Sequence, residues 1–282
     1  MDRAEHALKE HASRVTRHPT AGPRMASILA RECLASGSDL ILAAGGDGTI
    51  NEVAAGMVGS RVPLGVLPAG TANVLAHEIG LGSSMEHAAR DMAQLVPRPI
   101  SMGRIDFADG PAQHFLLMAG AGLDAHIVFN LDLAIKARFG KMAYWMAGFG
   151  QVGRHLEEFD VEADGRRLRC SFALITKVRN YGGDLEIARE VRLLDPKFEV
   201  VLFEGHNSYR YLLYLGCAAA NQLKRVKGVT VYRAGEVKLY PRNGDSVHLQ
   251  VDGEYVGLLP ATITAVPDSL TLLFPARYLT KC

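Results

Sequence analysis

The chain has 282 residues, with 31 Lys+Arg against 30 Asp+Glu and a formal net charge of +1. Hydrophobic residues make up 48% and charged residues 22%, which excludes disordered, collagen-like and low-complexity classes. The near-neutral balance argues against a dedicated nucleic-acid binder, and no nucleic-acid partner is expected.

In chain order, residues 25–34 read as a helix. Residues 39–44 (DLILAA) are a short apolar run, as in a strand buried on both faces, and they end in Gly45-Gly46-Asp47-Gly48-Thr49. A helix is predicted over 50–58. A second buried strand over 63–67 ends in Pro68-Ala69-Gly70-Thr71, and another helix starts at Ala72. This repeat of strand, glycine turn and helix predicts a parallel α/β sheet. A helix over 84–95 closes this part, and Pro97 and Pro99 punctuate the exit.

After residue 100 the pattern predicts strands over 101–107, 114–119, 159–163, 169–178, 198–203, 235–240, 246–251, 261–266 and 269–274. Helices are predicted over 124–137, 141–155 and 208–223. Asp164-Gly165 reads as a hairpin turn, and Ala108-Asp109-Gly110 and Asn243-Gly244-Asp245 as further turns. The expected organisation is an α/β domain over 1–100, on which residues 268–282 pack back, and an all-β domain over 101–267. The cysteines, Cys33, Cys170, Cys217 and Cys282, form no CxxC pair, so a reducing cytoplasm is the simplest compartment. The polar first residues carry no secretory signal. The longest apolar run, 211–220, is shorter than the roughly 20 residues a spanning helix needs. Membrane contact is therefore expected to be peripheral.

The stretch 43–52 (AAGGDGTINE) is the most informative. Its glycines let the backbone approach a ligand, and the following helix offers unpaired N–H groups and the positive end of its dipole, which suits phosphate. Asp47 can act through a metal ion or hold the loop, and Thr49 can donate from its hydroxyl. The same residues would also serve as a plain βα turn with Asp47 or Thr49 as a cap. The stretch is neither a Walker A motif nor a Rossmann fingerprint. The second turn, Gly70-Thr71-Ala72-Asn73, is expected at the same carboxyl edge of the sheet, where ligands bind, and two such turns favour a nucleotide-phosphate site. Further on, Val251-Asp252-Gly253-Glu254 reads as a hairpin turn; in a kinase setting one carboxylate could accept a hydroxyl proton and the other assist Mg²⁺.

In this order, GGDGTINEVAAGM (45–57), LGVLPAGTANVLAHEIGL (64–81) and VDGEY (251–255) resemble the diacylglycerol kinase-like lipid kinases, a superfamily that includes bacterial diacylglycerol and phosphatidylglycerol kinases, sphingosine kinases and ceramide kinases. Residues 120–124, 139–144 and 180–183 strengthen the likeness. The resemblance implies an NAD kinase- or phosphofructokinase-like α/β domain that binds ATP, a C-terminal β-sandwich, and a lipid hydroxyl that enters beside ATP in the cleft between them. It implies that Gly45, Gly46, Asp47, Gly48, Thr49, Asn51 and Glu52 hold nucleotide phosphates, with Gly70, Thr71 and Asn73 from the second turn and Thr16 as a further contact. Glu254 would accept the proton, with Asp252 as its supporting neighbour. Residues 188–198 resemble a segment that holds a structural Mg²⁺ through Glu190, the Leu193 carbonyl and Asp195; here Pro196 stands where glycine is usual and Arg189 where proline is usual. Asp124 matches an acidic position near the lipid head, or caps the helix that follows it.

Family members open with a strand, an Asn-Pro-x-x-Gly turn and a helix. Residues 1–13 resemble only the tail of that helix, so the sheet is expected to lack one strand and the site one phosphate turn, through truncation or a start assigned too far downstream. Three basic patches are candidates for anionic lipid or ordinary solvated faces: Lys136, Arg138 and Lys141 beside Phe139, Tyr144, Trp145 and Phe149; Arg166, Arg167 and Arg169; and Lys224, Arg225 and Lys227. A lipid substrate favours the membrane role for the first patch only. The expected protein is an ATP- and Mg²⁺-dependent lipid kinase in the cytoplasm, peripherally bound at the inner face of the membrane, with a homodimer as a further expectation. The rival readings are a soluble-substrate kinase of the NAD kinase type and a non-catalytic nucleotide- or lipid-binding protein.

Overall fold

The computed structural model describes residues 2–12, 14–108, 110–123, 125, 156–181, 185–207, 209–220 and 222–280. Asp124, the 139–144 stretch, Gly182-Gly183, the helices predicted over 124–137 (apart from Ala125) and 141–155, and the Lys136/Arg138/Lys141 patch lie outside them. The chain divides into two units, residues 1–102 with 267–282, and residues 103–266.

The first unit begins with α1 (Asp2–Lys9), whose Ala4, Ala7 and Leu8 form one buried stripe at helical spacing. After α2 (Met25–Ala35), β1 (Ile41–Gly45) leads into α3 (Asp47–Gly56), and β2 (Leu64–Pro68), buried throughout, leads towards α4 (Val74–Ile79). Next come α5 (Met85–Asp91), capped by the Ser84 hydroxyl, and a 3₁₀ turn over Met92–Gln94. α1 packs on α5 through Ala4, Ala7, Leu8, Ala88, Ala89 and Met92. β3 (Val96–Phe107) then starts earlier than predicted. Pro97 and Pro99 sit in its exposed first half, where a missing N–H removes no bond from a buried ladder.

In the second unit, β4 (Gln113–Phe115) and β5 (Met118–Gly122) replace the single strand expected over 114–119. They are followed by β6 (Phe159–Ala163), β7 (Arg166–Cys170) and β8 (Phe172–Thr176). The strand predicted over 169–178 is therefore also split, at Ser171, whose N–H and hydroxyl turn to the Phe203 and Gly205 carbonyls. The short β9 (Asn180–Tyr181) and β10 (Leu185–Glu186) pair with each other. Then come β11 (Phe198–Phe203), α6 (Tyr209–Ala219), β12 (Val229–Ala234), which had no sequence prediction, β13 (Glu236–Pro241), β14 (His248–Val251) and β15 (Glu254–Leu258). The two strands expected over 261–274 are one, β16 (Ala261–Phe274), followed by α7 (Ala276–Leu279).

The second unit is an antiparallel sandwich. One sheet runs β12-β11-β8-β5-β14-β15, and the opposing layer contains the first half of β16 with β13, β6 and β7, and the β3–β4 pair. Between the layers lies a core that includes Ile105, Phe115, Phe159, Val161, Ile175, Phe198, Val200, Val237, Leu249 and Ile263. The Phe115 and Phe198 rings stack at 5.9 Å. Asp164 and Gly165, at φ 48° and 73°, form the predicted hairpin turn of β6–β7.

In the first unit β1 and β2 are parallel, in register from Ile41↔Leu64 to Gly45↔Pro68, and the end of β16 joins β2 in parallel at Leu272↔Leu64. Residues 267–280 hold on to the unit further: Tyr278 donates its hydroxyl to the Glu78 carboxylate at 3.3 Å, and Arg277 donates to the Gly80 carbonyl. Among the described residues no helix is long and apolar enough to cross a membrane.

Candidate active site

Because β1 and β2 are parallel and in register, their two glycine turns leave the same edge of the sheet. Ala69 N–H donates to the Gly45 carbonyl at 3.0 Å, which ties the turns together at their base. Beyond that point they touch backbone to backbone. A Cβ on Gly70 would lie 2.5 Å from Gly46 Cα, and one on Gly45 would lie 2.6 Å from Thr49 Cβ. α3 starts at Asp47, three residues earlier than predicted. Its N-cap, Gly46, is extended and provides no side-chain cap, so the first-turn N–H groups stay available at the positive end of the helix.

Asp47 joins the two turns. Its Oδ1 accepts the Leu75 N–H at 3.3 Å, so the carboxylate of the first turn caps the helix that follows the second. Asn73 is buried and left-handed, at φ 46°; its amide accepts from Gly70 N–H and donates to the Gly70 carbonyl, both at 2.8 Å. It clamps the second turn shut, while Thr71 remains exposed at the tip. Glu52 serves a neighbouring element: its two oxygens accept the N–H groups of Arg24 (2.9 Å) and Ala26 (3.1 Å) and cap α2. Asn51 Oδ1 is buried with no hydrogen-bond partner among the described residues. Thr16 is exposed, in a segment without regular secondary structure. The structure thus gathers Gly45 to Thr49 with Gly70, Thr71 and Asn73, and gives Glu52 to α2.

In the second unit, Asp252 (φ 47°) and Gly253 (φ 81°) form the two-residue turn of the β14–β15 hairpin, and Val251 pairs with Glu254. The Asp252 carboxylate accepts three backbone N–H groups, from Leu116 at 2.9 Å, Leu117 at 3.0 Å and Met118 at 2.8 Å. This interaction breaks the 114–119 strand in two, because N–H groups bound to a carboxylate are withdrawn from any ladder. Glu254, two residues on, is exposed at the start of β15. The sequence paired the two as chemical neighbours; the structure makes Asp252 a pin for the turn that carries Glu254.

The segment expected to hold a structural Mg²⁺ is occupied by side-chain cations. Asp195 closes a tight turn: its N–H donates to the Arg192 carbonyl (2.9 Å) and its Oδ2 accepts the Arg192 N–H (2.8 Å). The same Oδ2 faces the Arg233 guanidinium at 3.4 Å, and Arg233 also donates to the Glu190 carbonyl. The ammonium of Lys177, a fully buried residue, donates to the Asp195 carbonyl. Burial lowers the Lys177 pKa to about 8, with the Asp195 charge acting to raise it. No three His, Cys, Asp or Glu side chains converge as a metal site among the described residues. A turn already facing two side-chain cations does not fit a divalent ion. The sequence signal was present, since Lys177 is the one charge in the apolar run 172–178.

Comparison with known proteins adds to this geometry. Residues 1–105 match the diacylglycerol kinase catalytic domain, and residues 118–274 match the YegS C-terminal NAD kinase beta sandwich-like domain. A diacylglycerol kinase of Bacillus subtilis (strain 168) is 28% identical over 264 residues, covering 92% of this chain and 85% of that protein. A diacylglycerol kinase of Mycobacterium tuberculosis (strain ATCC 25618 / H37Rv) is 27% identical over 249 residues, covering 86% and 79%. The crystal structure of a diacylglycerol kinase from Bacillus anthracis str. Sterne superposes with a TM-score of 0.72 at 20% identity, covering 92% and 85% of the two chains, a likeness of fold.

Proposed function

The chain belongs to the diacylglycerol kinase-like lipid kinase family, and we propose that it transfers the γ-phosphate of ATP to a hydroxyl of diacylglycerol or a related lipid. The observation that carries this reading is the backbone contact between the two glycine turns, with Asp47 capping the helix of the second. Such a cradle is preorganised for polyphosphate, because its turns are held by their own hydrogen bonds and the first turn of α3 has no side-chain cap to displace.

Phosphoryl transfer asks mainly for positioning and charge stabilisation. In this reading the first turn of α3 and the Gly70–Asn73 turn hold the phosphates. The Asp47 carboxylate beside a polyphosphate would repel it unless a divalent cation arrives with the nucleotide, so ATP is expected as its Mg²⁺ complex. Bound there, the ion would neutralise phosphate charge. Glu254 accepts the proton as the lipid oxygen bonds to the γ-phosphorus and the bond to the bridging oxygen breaks, releasing ADP. Its exposure supports that role, as does the rigid turn Asp252 gives it. The lipid is met at the inner face of a membrane through peripheral contact.

The test is transfer of labelled γ-phosphate to a panel of lipids, followed by organic extraction. Label in the organic phase, lost in Glu254→Gln and in Asp47→Ala, is the expected result. Label that stays aqueous would favour a soluble-substrate kinase. Nucleotide binding without transfer to any lipid would favour a binding protein.

A further inference from the structure

We propose that the Lys177 ammonium is the resident cation of the 190–195 segment, doing through one side chain what the resemblance assigns to a structural Mg²⁺. Three observations support this. Lys177 is fully buried at the end of β8, and a buried ammonium persists only where oxygen atoms surround it. Its partner is the Asp195 carbonyl, an oxygen of the segment expected to bind the metal. A second cation, Arg233 from β12, holds the other end of the segment through the Glu190 carbonyl and the Asp195 carboxylate.

The chemistry of substitution is direct. A hard divalent ion gathers oxygens from a turn and pays for their desolvation with its charge. Lys177 and Arg233 supply positive charge to oxygens of the same segment, the Asp195 carbonyl and carboxylate and the Glu190 carbonyl, and are covalently tethered, so no ion need be captured from solution. They would also repel one. The departures at Pro196 and Arg189 agree with this: Pro196 is exposed, and Arg189 pairs with Glu186 at 2.9 Å. Two cationic tethers then anchor the segment to the sheet, Lys177 from β8 and Arg233 from β12. Lys177 is a positioning residue. Its proposed role is independent of the kinase reading.

The experiment uses the full chain without nucleotide, so that metal carried by ATP does not enter. Thermal unfolding is followed in EDTA and across a Mg²⁺ titration, for the wild type, Lys177→Met and Lys177→Arg. The wild-type Tm is expected to move by less than about 1 °C between EDTA and millimolar Mg²⁺, and Lys177→Met to melt about 5 °C or more lower. Lys177→Arg, which keeps the charge, is expected to recover part of that loss, which a purely steric role would not predict. A wild-type Tm that falls in EDTA and returns with Mg²⁺, with the return lost in Asp195→Asn, would overturn the proposal. A Lys177→Met chain as stable as wild type would also overturn it. If Lys177→Met does not fold, the wild-type metal titration and Lys177→Arg still decide.

Discussion

Substituting Gly70 by alanine tests whether the two turns form one phosphate cradle. The new Cβ would lie 2.5 Å from Gly46 Cα and 3.0 Å from Asn73 Oδ1. Ordinary contact begins near 3.4 Å, so the turns must part by roughly 1 Å. Both obstacles are fixed. One is backbone, and the other is an amide already bonded to Gly70 on both sides. Overpacking of this kind costs about 1–3 kcal/mol, which in a chain of this size lowers Tm by roughly 2–4 °C per kcal/mol. The larger effect should fall on the ligand. A misplacement of about 1 Å among positioning groups can cost on the order of a hundredfold. Calorimetry with a non-hydrolysable ATP analogue should therefore show affinity reduced about ten- to a hundredfold in a chain that still folds. Gly216→Ala is the control: it lies in α6 with nothing among the described residues within 4 Å of the added methyl, and it should raise stability by about 0.5–1 kcal/mol without touching affinity. Gly70→Ala that folds and binds the analogue as tightly as wild type would refute the cradle.

Three further outcomes separate structural carboxylates from reactive ones. Asp252→Ala should lower stability by roughly 3 kcal/mol or more, because three backbone N–H groups lose their acceptor, while Glu254→Gln should leave Tm unchanged and lower transfer by about 10²–10⁴-fold; denaturant melts and the labelled-phosphate assay read the two. Glu52→Gln should lower stability by about 1–2 kcal/mol through the weakened α2 cap and leave the KM for ATP unchanged, so a raised KM would restore Glu52 to the phosphate site. Burial would raise the pKa of Asp160, but Arg242 at 3.0 Å and Arg167 at 2.9 Å outweigh it and hold the carboxyl below its ordinary value. A depressed carboxylate adds stability above its unfolded pKa of about 3.9 and loses it as pH falls through the folded value. Urea midpoints of wild type and Asp160→Asn should therefore differ by a constant amount from pH 7 to pH 5 and converge below about pH 4.

The parallel βα repeats were legible because each carries its own punctuation. A run of buried apolar residues leads into a glycine turn, and a polar residue stands at or just before the start of the helix, Asp47 in one and Asn73 in the other. What escaped was decided by contacts distant in sequence. Nothing within residues 114–119 announces a break; it comes from a carboxylate more than 130 positions away, at Asp252. Ser171 divides its strand for a similar reason, by turning to carbonyls at the end of β11 and just past it. β16 runs through Pro267-Asp268, where one strand was expected to end and another to begin, because its two halves join different units and the exposed pair between them has no buried ladder to interrupt. At the site, the motif located the turn but not the duties within it. Glu52 and Asn73 lie where phosphate ligands were expected, and both are committed to backbone groups of their own unit.

Those commitments bear on how the site can work. A carboxylate that accepts backbone N–H groups is held in place, and releasing it to bind a metal or a proton would leave those donors unpaired at about 1–3 kcal/mol each. Asp252, with three such bonds, is therefore a poor candidate for a group that changes partners during turnover. Glu52, with two, is in the same position. Asp47 differs: a single, longer bond to Leu75 N–H at 3.3 Å leaves its carboxylate able to take part in cation binding at little cost. Glu254 is exposed and makes no such bond among the described residues. The hydrogen bonding thus divides the four motif carboxylates into two committed to backbone donors, Glu52 and Asp252, and two that are not held in this way, Asp47 and Glu254, and it is the second pair to which the proposed mechanism gives chemical roles.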